Sequence, residues 1–320
     1  MVMNKIIAFL RLIRIQNLLI LAATQYLLRY AIFLPILDRH QLFLQMSEIQ
    51  FFLLVLSTVL IAGAGYAIND YFDIKIDRVN KPDTIIVGRL IKRRVAMGVH
   101  FVLTSLGIML GLYVSQAIGK TYLVGIHVLS AAILWFYAFY LKRTFLIGNL
   151  AIALMAAMVP YIVALYEIPL LEKTYKEFHA AFDVLYFWSY GYAVFAFVFT
   201  LAREIVKDMA DVEGDKAFKC RTIPIVLGIE KTKYIVNFIH LMALFLGYYL
   251  IENTFLNDNT TFTFFIVFVA IPLIYMIYKT HFGTNRTDFL QVAKLNKLVS
   301  LAGIMYMLLA RYMIYNGPLF

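Results

Sequence analysis

Charge is scarce in this sequence. Asp, Glu, Lys and Arg together make up 15% of its 320 residues, whereas hydrophobic types make up 62%. A water-soluble domain of this size needs far more polar surface to cover itself. That excludes an ordinary globular protein and leaves lipid as the solvent, in which a spanning helix needs roughly 20 mostly apolar residues. Cysteine occurs once, at Cys220, so no internal disulfide can form. Its lysine neighbours could lower the thiol pKa, although an incidental thiol is the simpler reading. The N-terminus does not read as a good secretory signal: Arg11 and Arg14 interrupt the first apolar run too early, and no convincing cleavage site follows. Long linkers are absent too, so residues 1–320 read as a single domain.

What is present is a series of apolar stretches with short polar joints. Nine spans are expected, over residues 12–37, 51–69, 95–119, 121–141, 144–166, 184–202, 234–251, 259–278 and 295–315. In lipid each span must satisfy its own backbone polar groups, so each is a helix and the fold is all-α, a polytopic bundle. The second to sixth and the eighth contain no Asp, Glu, Lys or Arg. The first contains Arg29, which predicts a tilted entry along the interface. The net charge of +10 could point to nucleic acid in a soluble chain, but here it reads as the basic excess of cytoplasmic loops. Of the 29 Lys and Arg, 23 lie on the N-terminal side and 5 on the other, with Arg29 inside the first span. The positive-inside rule then puts the N-terminus in the cytoplasm and, with nine spans, the C-terminus outside. The expected location is the cell inner membrane.

Two joints match each other, and both fall on the basic side. One reads Asn69-Asp70-x-x-Asp73-x-x-x-Asp77, then Asn80-Lys81-Pro82 and Gly88. The other reads Asp208-x-x-Asp211-x-x-Gly214-Asp215, then Arg221 and Gly228. In both, the aspartates fall at positions 0, 3 and 7. They follow the second and sixth spans, as in an internal repeat that builds a membrane site at a pseudo-two-fold. On a helix, Asn69, Asp73 and Asp77 share a face, and Glu204, Asp208, Asp211 and Asp215 share another. Carboxylates stacked so closely need a cation or full solvation. Hard oxygen donors point to Mg²⁺ or Ca²⁺. The spacing is not that of an EF-hand, and Mg²⁺ is typically held by one or two carboxylates plus substrate phosphate. Two such faces across a cavity suit a diphosphate carrying Mg²⁺. Cations for its free oxygens lie close in sequence: Arg203 and Lys207, Lys142 and Arg143, Lys81 and Arg221. Such a set stabilises a departing diphosphate, the charge that develops when an allylic ester ionises. Tyr66, Tyr71, Tyr137 and Tyr140, near the same helix ends, could face the carbocation. His100 and His127 read as packing or interhelical hydrogen bonds.

Nine helices with these paired motifs resemble the UbiA superfamily of intramembrane prenyltransferases over nearly the whole chain. The resemblance implies nine helices around a central cavity that opens laterally to lipid. It also implies a metal site for Mg²⁺ made of Asn69, Asp70, Asp73, Asp77, Asp208, Asp211 and Asp215, with Asp70, Asp73, Asp208 and Asp211 as the catalytic set. Lys142, Arg203 and Lys207 match positions that hold diphosphate, and Arg14 with Asn17 matches an acceptor or helix 1 pocket. The run Arg203-Glu204-x-x-Lys207-Asp208-x-x-Asp211-x-x-Gly214-Asp215 is most similar to geranylgeranylglycerol-phosphate geranylgeranyltransferases. The implied reaction moves a prenyl group, geranylgeranyl by this likeness, from a prenyl diphosphate to a glycerol-phosphate lipid. Quinone-type relatives that prenylate an aromatic ring share both motifs. Two departures stand out. Asp83-Thr84-Ile85 replaces the usual Arg-Pro after Asn80-Lys81-Pro82, and Arg14-Ile15-Gln16-Asn17 lacks the family's proline.

A cation-coupled transporter is the rival of another class. It would be expected to carry ionisable residues near the bilayer midplane, where the second to sixth and the eighth spans of this sequence carry no charge. The expected partners are a prenyl diphosphate, an acceptor and the membrane, with no nucleic acid and no obligate protein partner.

Overall fold

The computed structural model describes residues 2–80, 82, 85–254 and 258–316. It is helical throughout: α1 Val2–Leu12, α2 Ile15–Leu27, α3 Leu34–Arg39, α4 Glu48–Asn80, α5 Arg93–Ala117, α6 Val124–Phe139, α7 Ile147–Thr174, α8 His179–Ala210, α9 Val212–Ala217, α10 Ile223–Leu227, α11 Ile229–Thr254, α12 Asn259–Phe265, α13 Ile271–Phe282 and α14 Arg286–Asn316. Among the described residues, nine stretches are long and apolar enough to cross a membrane. Two of them are composite. A π turn over Leu28–Phe33 joins α2 to α3, and another over Ile266–Ala270 joins α12 to α13. A proline stands at the start of the helix after each π turn. Proline cannot donate an i−4 hydrogen bond, and the wider turn before it accommodates the missing donor. The chain is an integral, multi-pass membrane protein.

The helices run beyond the expected span ends. The second span continues to Asn80 instead of ending at residue 69, so the first acidic motif is helical rather than a loop. The sixth continues to Ala210, and the second motif bends from α8 into the short α9. Hydropathy marks where lipid ends, not where hydrogen bonding ends, and a helix emerging into water has no reason to stop.

Arg29 does not mark a tilted interfacial entry. The N-terminal residues form the separate helix α1, and the chain breaks at Arg14, which is left-handed (φ 51°, ψ 55°). Arg29 itself is fully buried. It pairs with the buried Glu167 of α7 and donates to Met46 O at 2.6 Å, while Glu167 accepts from Met46 N at 3.1 Å. An unpaired charge here would cost several kcal/mol, and this ring of partners pairs both ions, leaving only Arg29 Nε without a hydrogen bond.

α2 packs against α4, α7 and α14, while α4–α5, α7–α8 and α8–α14 form the larger helix interfaces around it. The largest apolar cluster, with Phe33, Phe51, Tyr166, Phe182, Trp188 and Met307, lies at the end remote from the acidic motifs. Two smaller clusters brace the motif end, one around Ile205, Met209, Leu273 and Val292 and one around Leu12, Ala67 and Ala96. Between these layers lies a cavity.

Candidate active site

The cavity holds about 650 Å³. Its deep wall is apolar, with Met155, Phe187, Trp188, Phe195 and Phe264 among its residues, and its mouth carries the charged set. Two helix junctions shape that mouth. At the first, Leu141–Arg143 form a single 3-10 turn closed by Thr144 Oγ1 donating to Leu141 O at 2.6 Å. A Cβ on Gly148 would come within 2.6 Å of that same carbonyl, so only glycine lets the turn sit on the first turn of α7. This places Lys142 and Asn149 in the mouth. At the second junction, Gly214 N donates to Asn80 Oδ1 at 3.1 Å, and a Cβ there would meet that oxygen at 2.3 Å. The contact ties the end of the first motif to the second.

The two acidic faces meet as expected. Asn69, Asp73, Asp77, Asp208, Asp211 and Asp215 all line the cavity. Asp73 accepts from Asn69 Nδ2 at 2.8 Å and from Lys142 Nζ at 2.5 Å, and Lys142 also reaches Asn69 Oδ1 at 3.1 Å. Burial lowers the Lys142 pKa, and the attraction of Asp73 offsets part of that. Asp208 accepts from Asn149 Nδ2 at 2.7 Å, and Asp211 from Arg286 Nη2 at 3.2 Å. Thr222 donates to Asp215 at 3.4 Å. Asp70 lies behind this row, where Arg14 Nη2 reaches it at 3.0 Å. Burial disfavours the Arg14 charge, but Asp70, with Tyr66 and Glu204, together outweighs it and the net pKa is raised. The left-handed backbone of Arg14 turns the chain where α1 meets α2, and strain of this kind is tolerated where the surroundings fix it.

Other expectations divide. Arg203 donates to Glu204 at 2.8 Å, and Lys207 binds both oxygens of Glu204, at 3.0 and 2.9 Å. Both basic residues line the cavity, as do Arg14, Asn17, Lys142 and Arg143. Arg221 does not line it. Its side chain is exposed, and its backbone N–H donates to Arg143 O at 2.8 Å. Lys81, like Asp83 and Thr84, lies outside the described residues. Tyr66 and Tyr137 line the cavity, whereas Tyr140 is exposed and Tyr71 lies under Arg93, 4.8 Å from its guanidinium. His127 bonds Ser57 at 2.8 Å and Tyr166 at 2.9 Å, and His100 bonds Ala64 O at 3.0 Å, so both are interhelical ties. Cys220 is buried, which together with Asp215 pushes its thiol up to about 11; a thiol so shifted is unreactive.

Four residues at this site escaped sequence reasoning: Asn80, Asn149, Arg286 and Lys297. Lys297 donates to Asn17 Oδ1 at 2.7 Å from across the cavity. Only Asn80 carried a signal, its fixed place after the first motif.

The donor set can be tested against a metal. Among the described residues no three His, Cys, Asp or Glu side chains form a ready cage. That disfavours a Ca²⁺ or Zn²⁺ cage of protein ligands. It fits Mg²⁺, which keeps several waters and takes one or two carboxylates plus phosphate oxygens.

The profile of the UbiA prenyltransferase family matches residues 42–298. A digeranylgeranylglyceryl phosphate synthase of Methanoregula boonei is 34% identical over 57% of this chain and 59% of its own length. The chain thus spans about three fifths of that relative. The protein of the same name from Sulfurisphaera tokodaii is 31% identical over 73% of this chain and 76% of its own. Among solved structures, one from work on digeranylgeranylglyceryl phosphate synthase in membranes superposes with a TM-score of 0.62 at 22% identity, covering 96% of this chain and 98% of that one. A UbiA homologue from Archaeoglobus fulgidus bound to DMAPP and Mg²⁺ gives 0.53 at 16% identity, over 94% and 98%. At such identities the likeness is one of fold.

Proposed function

This chain belongs to the UbiA prenyltransferase family, and from that premise we propose that it transfers a prenyl group from a prenyl diphosphate to a glycerol-phosphate lipid, with Mg²⁺ as cofactor. The whole chain, residues 1–320, is read as one catalytic domain. One observation carries the reading: two matched carboxylate faces, with cations between and beside them, close the mouth of a cavity whose depth is apolar. A diphosphate belongs at such a mouth and a prenyl tail in such a depth. A transporter would need its ionisable groups along a path through the bilayer, and here the acidic residues gather at one end.

In this reading Asn69, Asp73, Asp77, Asp208, Asp211 and Asp215 hold Mg²⁺, with Asp70 behind them. A metal held by these residues would supply charge neutralisation for the diphosphate and for the charge it gains on leaving. Lys142, Lys207 and Arg203 pair with oxygens that the metal leaves free. The allylic C–O bond breaks with its electron pair going to the diphosphate. Tyr66 and Tyr137 face the resulting cation, each contributing about 0.5–2 kcal/mol according to desolvation. The acceptor hydroxyl then bonds to the same carbon and releases its proton to a diphosphate oxygen. Apolar walls keep water from competing for the cation. The basic excess of the motif side orients this mouth to the cytoplasm of the inner membrane.

The test is transfer by purified protein with Mg²⁺ and labelled geranylgeranyl diphosphate, with glycerol-phosphate and aromatic acceptors in parallel. Label in the glycerol-phosphate product supports the reading. Label only in the aromatic product moves the protein to the quinone-type branch.

A further inference from the structure

One wall of the cavity mouth is basic. Along the wall where α2, α8 and α14 meet stand Arg14, Arg203, Lys207 and Lys297, with Asp70 and Glu204 as their carboxylate partners. Arg203 and Lys207 also serve the donor diphosphate, whereas Lys297 has no part in that site. Lys297 is the least compensated of the four. Its ammonium is held by the neutral Asn17 amide at 2.7 Å, no carboxylate among the described residues forms an ion pair with it, and it faces the positive charges of Arg203 and Arg14. Holding three cations around one stretch of a low-dielectric cavity is costly unless an anion joins them. A second observation points the same way. Arg203 Nε is buried and has no hydrogen-bond partner. An unmet donor of that kind costs about 1–3 kcal/mol, and more when charged, so it marks a place where a ligand completes the set.

Asp70 is the motif aspartate that reaches this wall; among the aspartates that line the cavity, Asp73 is held by Lys142 and Asp208 by Asn149. We propose that Lys297, Asn17 and Arg203 form a second anion subsite that takes the phosphate monoester head of an apolar acceptor lipid. A phosphate monoester carries about 1.5–2 negative charges near neutral pH and offers three acceptor oxygens. That suits a subsite with the Lys297 ammonium, the Asn17 amide and the Arg203 Nε as donors. An aromatic acid, with one carboxylate, offers less charge and fewer acceptor oxygens to the same donors. Arg203 thus stands between the two anions, its Nη1 on Glu204 and its Nε toward the acceptor. Below the subsite the apolar lining receives the acceptor's tail. This assignment deepens the transfer reading and rests on it for the identity of the acceptor.

The experiment uses the full-length protein in detergent with Mg²⁺. Binding of a mono-prenylated glycerol phosphate is compared with binding of the same lipid lacking phosphate, for wild type, Lys297→Met and Lys297→Arg. Wild type is expected to prefer the phosphate lipid by at least tenfold. Lys297→Met should lose that preference while keeping its affinity for a non-hydrolysable prenyl diphosphate, which shows that it is folded. Lys297→Arg should retain most of the preference. A phosphate preference unchanged in Lys297→Met overturns the subsite. Displacement of the lipid by inorganic phosphate at equal concentration also overturns it, because the site would then take the free anion. Transfer is measured alongside. Wild type that binds the phosphate lipid but prenylates no acceptor contradicts the transfer reading and leaves the subsite standing.

Discussion

Most aspartates at the cavity mouth have a positive or amide neighbour that remains if the carboxylate is removed. Lys142 keeps Asn69 when Asp73 is lost, and Arg286 keeps Ala210 O at 3.2 Å when Asp211 is lost. Asp73→Ala or Asp211→Ala should therefore abolish turnover with melting temperatures close to wild type, because each deletes a proposed metal ligand and relieves like-charge repulsion. Near-normal activity of either variant at saturating Mg²⁺ would refute a site built from both motifs. Gly214→Ala tests the junction. Its methyl displaces Asn80, separates the motifs and should lower kcat/KM by about tenfold or more, since small misplacements at a reacting centre are expensive. Unchanged kinetics would show that the Asn80–Gly214 contact does not set the geometry. The aspartates were legible in the sequence because residues three, four and seven apart on a helix stay neighbours whatever packs against them. Lys297, Asn149 and Arg286 were not, since only the tertiary fold brings them to the mouth. Arg221 misled for the converse reason: it lies close in sequence to the second motif, yet its side chain points to solvent.

Helices in this protein are tied as well as packed. The Arg29–Glu167 pair links the first span to α7 and holds the segment around Met46 between them. Removing one partner strands a buried charge, so Glu167→Ala should destabilise by about 3–5 kcal/mol. Unfolding in a denaturing-detergent titration measures this. Below its transition the variant should still bind a prenyl diphosphate, because the pair lies at the end remote from the motifs. Stability equal to wild type would mean that water already solvates the pair. The number and order of the spans could be read from hydropathy, whereas this tie could not. Arg29 resembles an interfacial residue when only its own helix is in view, and Glu167 falls just past the end of an apolar stretch. The helical state of the first motif was half legible. Its period of four is helical, but its charge marked the end of a lipid-facing span.

At the scale of the whole molecule, two properties decide what the protein can do: which way it faces, and what its mouth binds. With the only native cysteine buried, single cysteines placed at exposed Lys75 and Glu177 can be labelled from either side of the membrane with little background. Position 75 should react only from the cytoplasmic side and position 177 only from the other. The reverse pattern would overturn the orientation. The mouth is where the account stands or falls. Five aspartates and Asn69 line the mouth, and the ligand proposed for it itself carries about three negative charges. In a partly dehydrated cleft that repulsion is weakly screened, and Lys142, Arg203 and Lys207 offset only part of it. The most direct measurement is the affinity of the purified protein for a non-hydrolysable prenyl diphosphate, with Mg²⁺ and with excess EDTA. Chelation should weaken binding at least tenfold, about 1.4 kcal/mol. Equal affinity in both buffers would mean that the basic residues alone hold the diphosphate, and that the paired acidic motifs serve some other purpose.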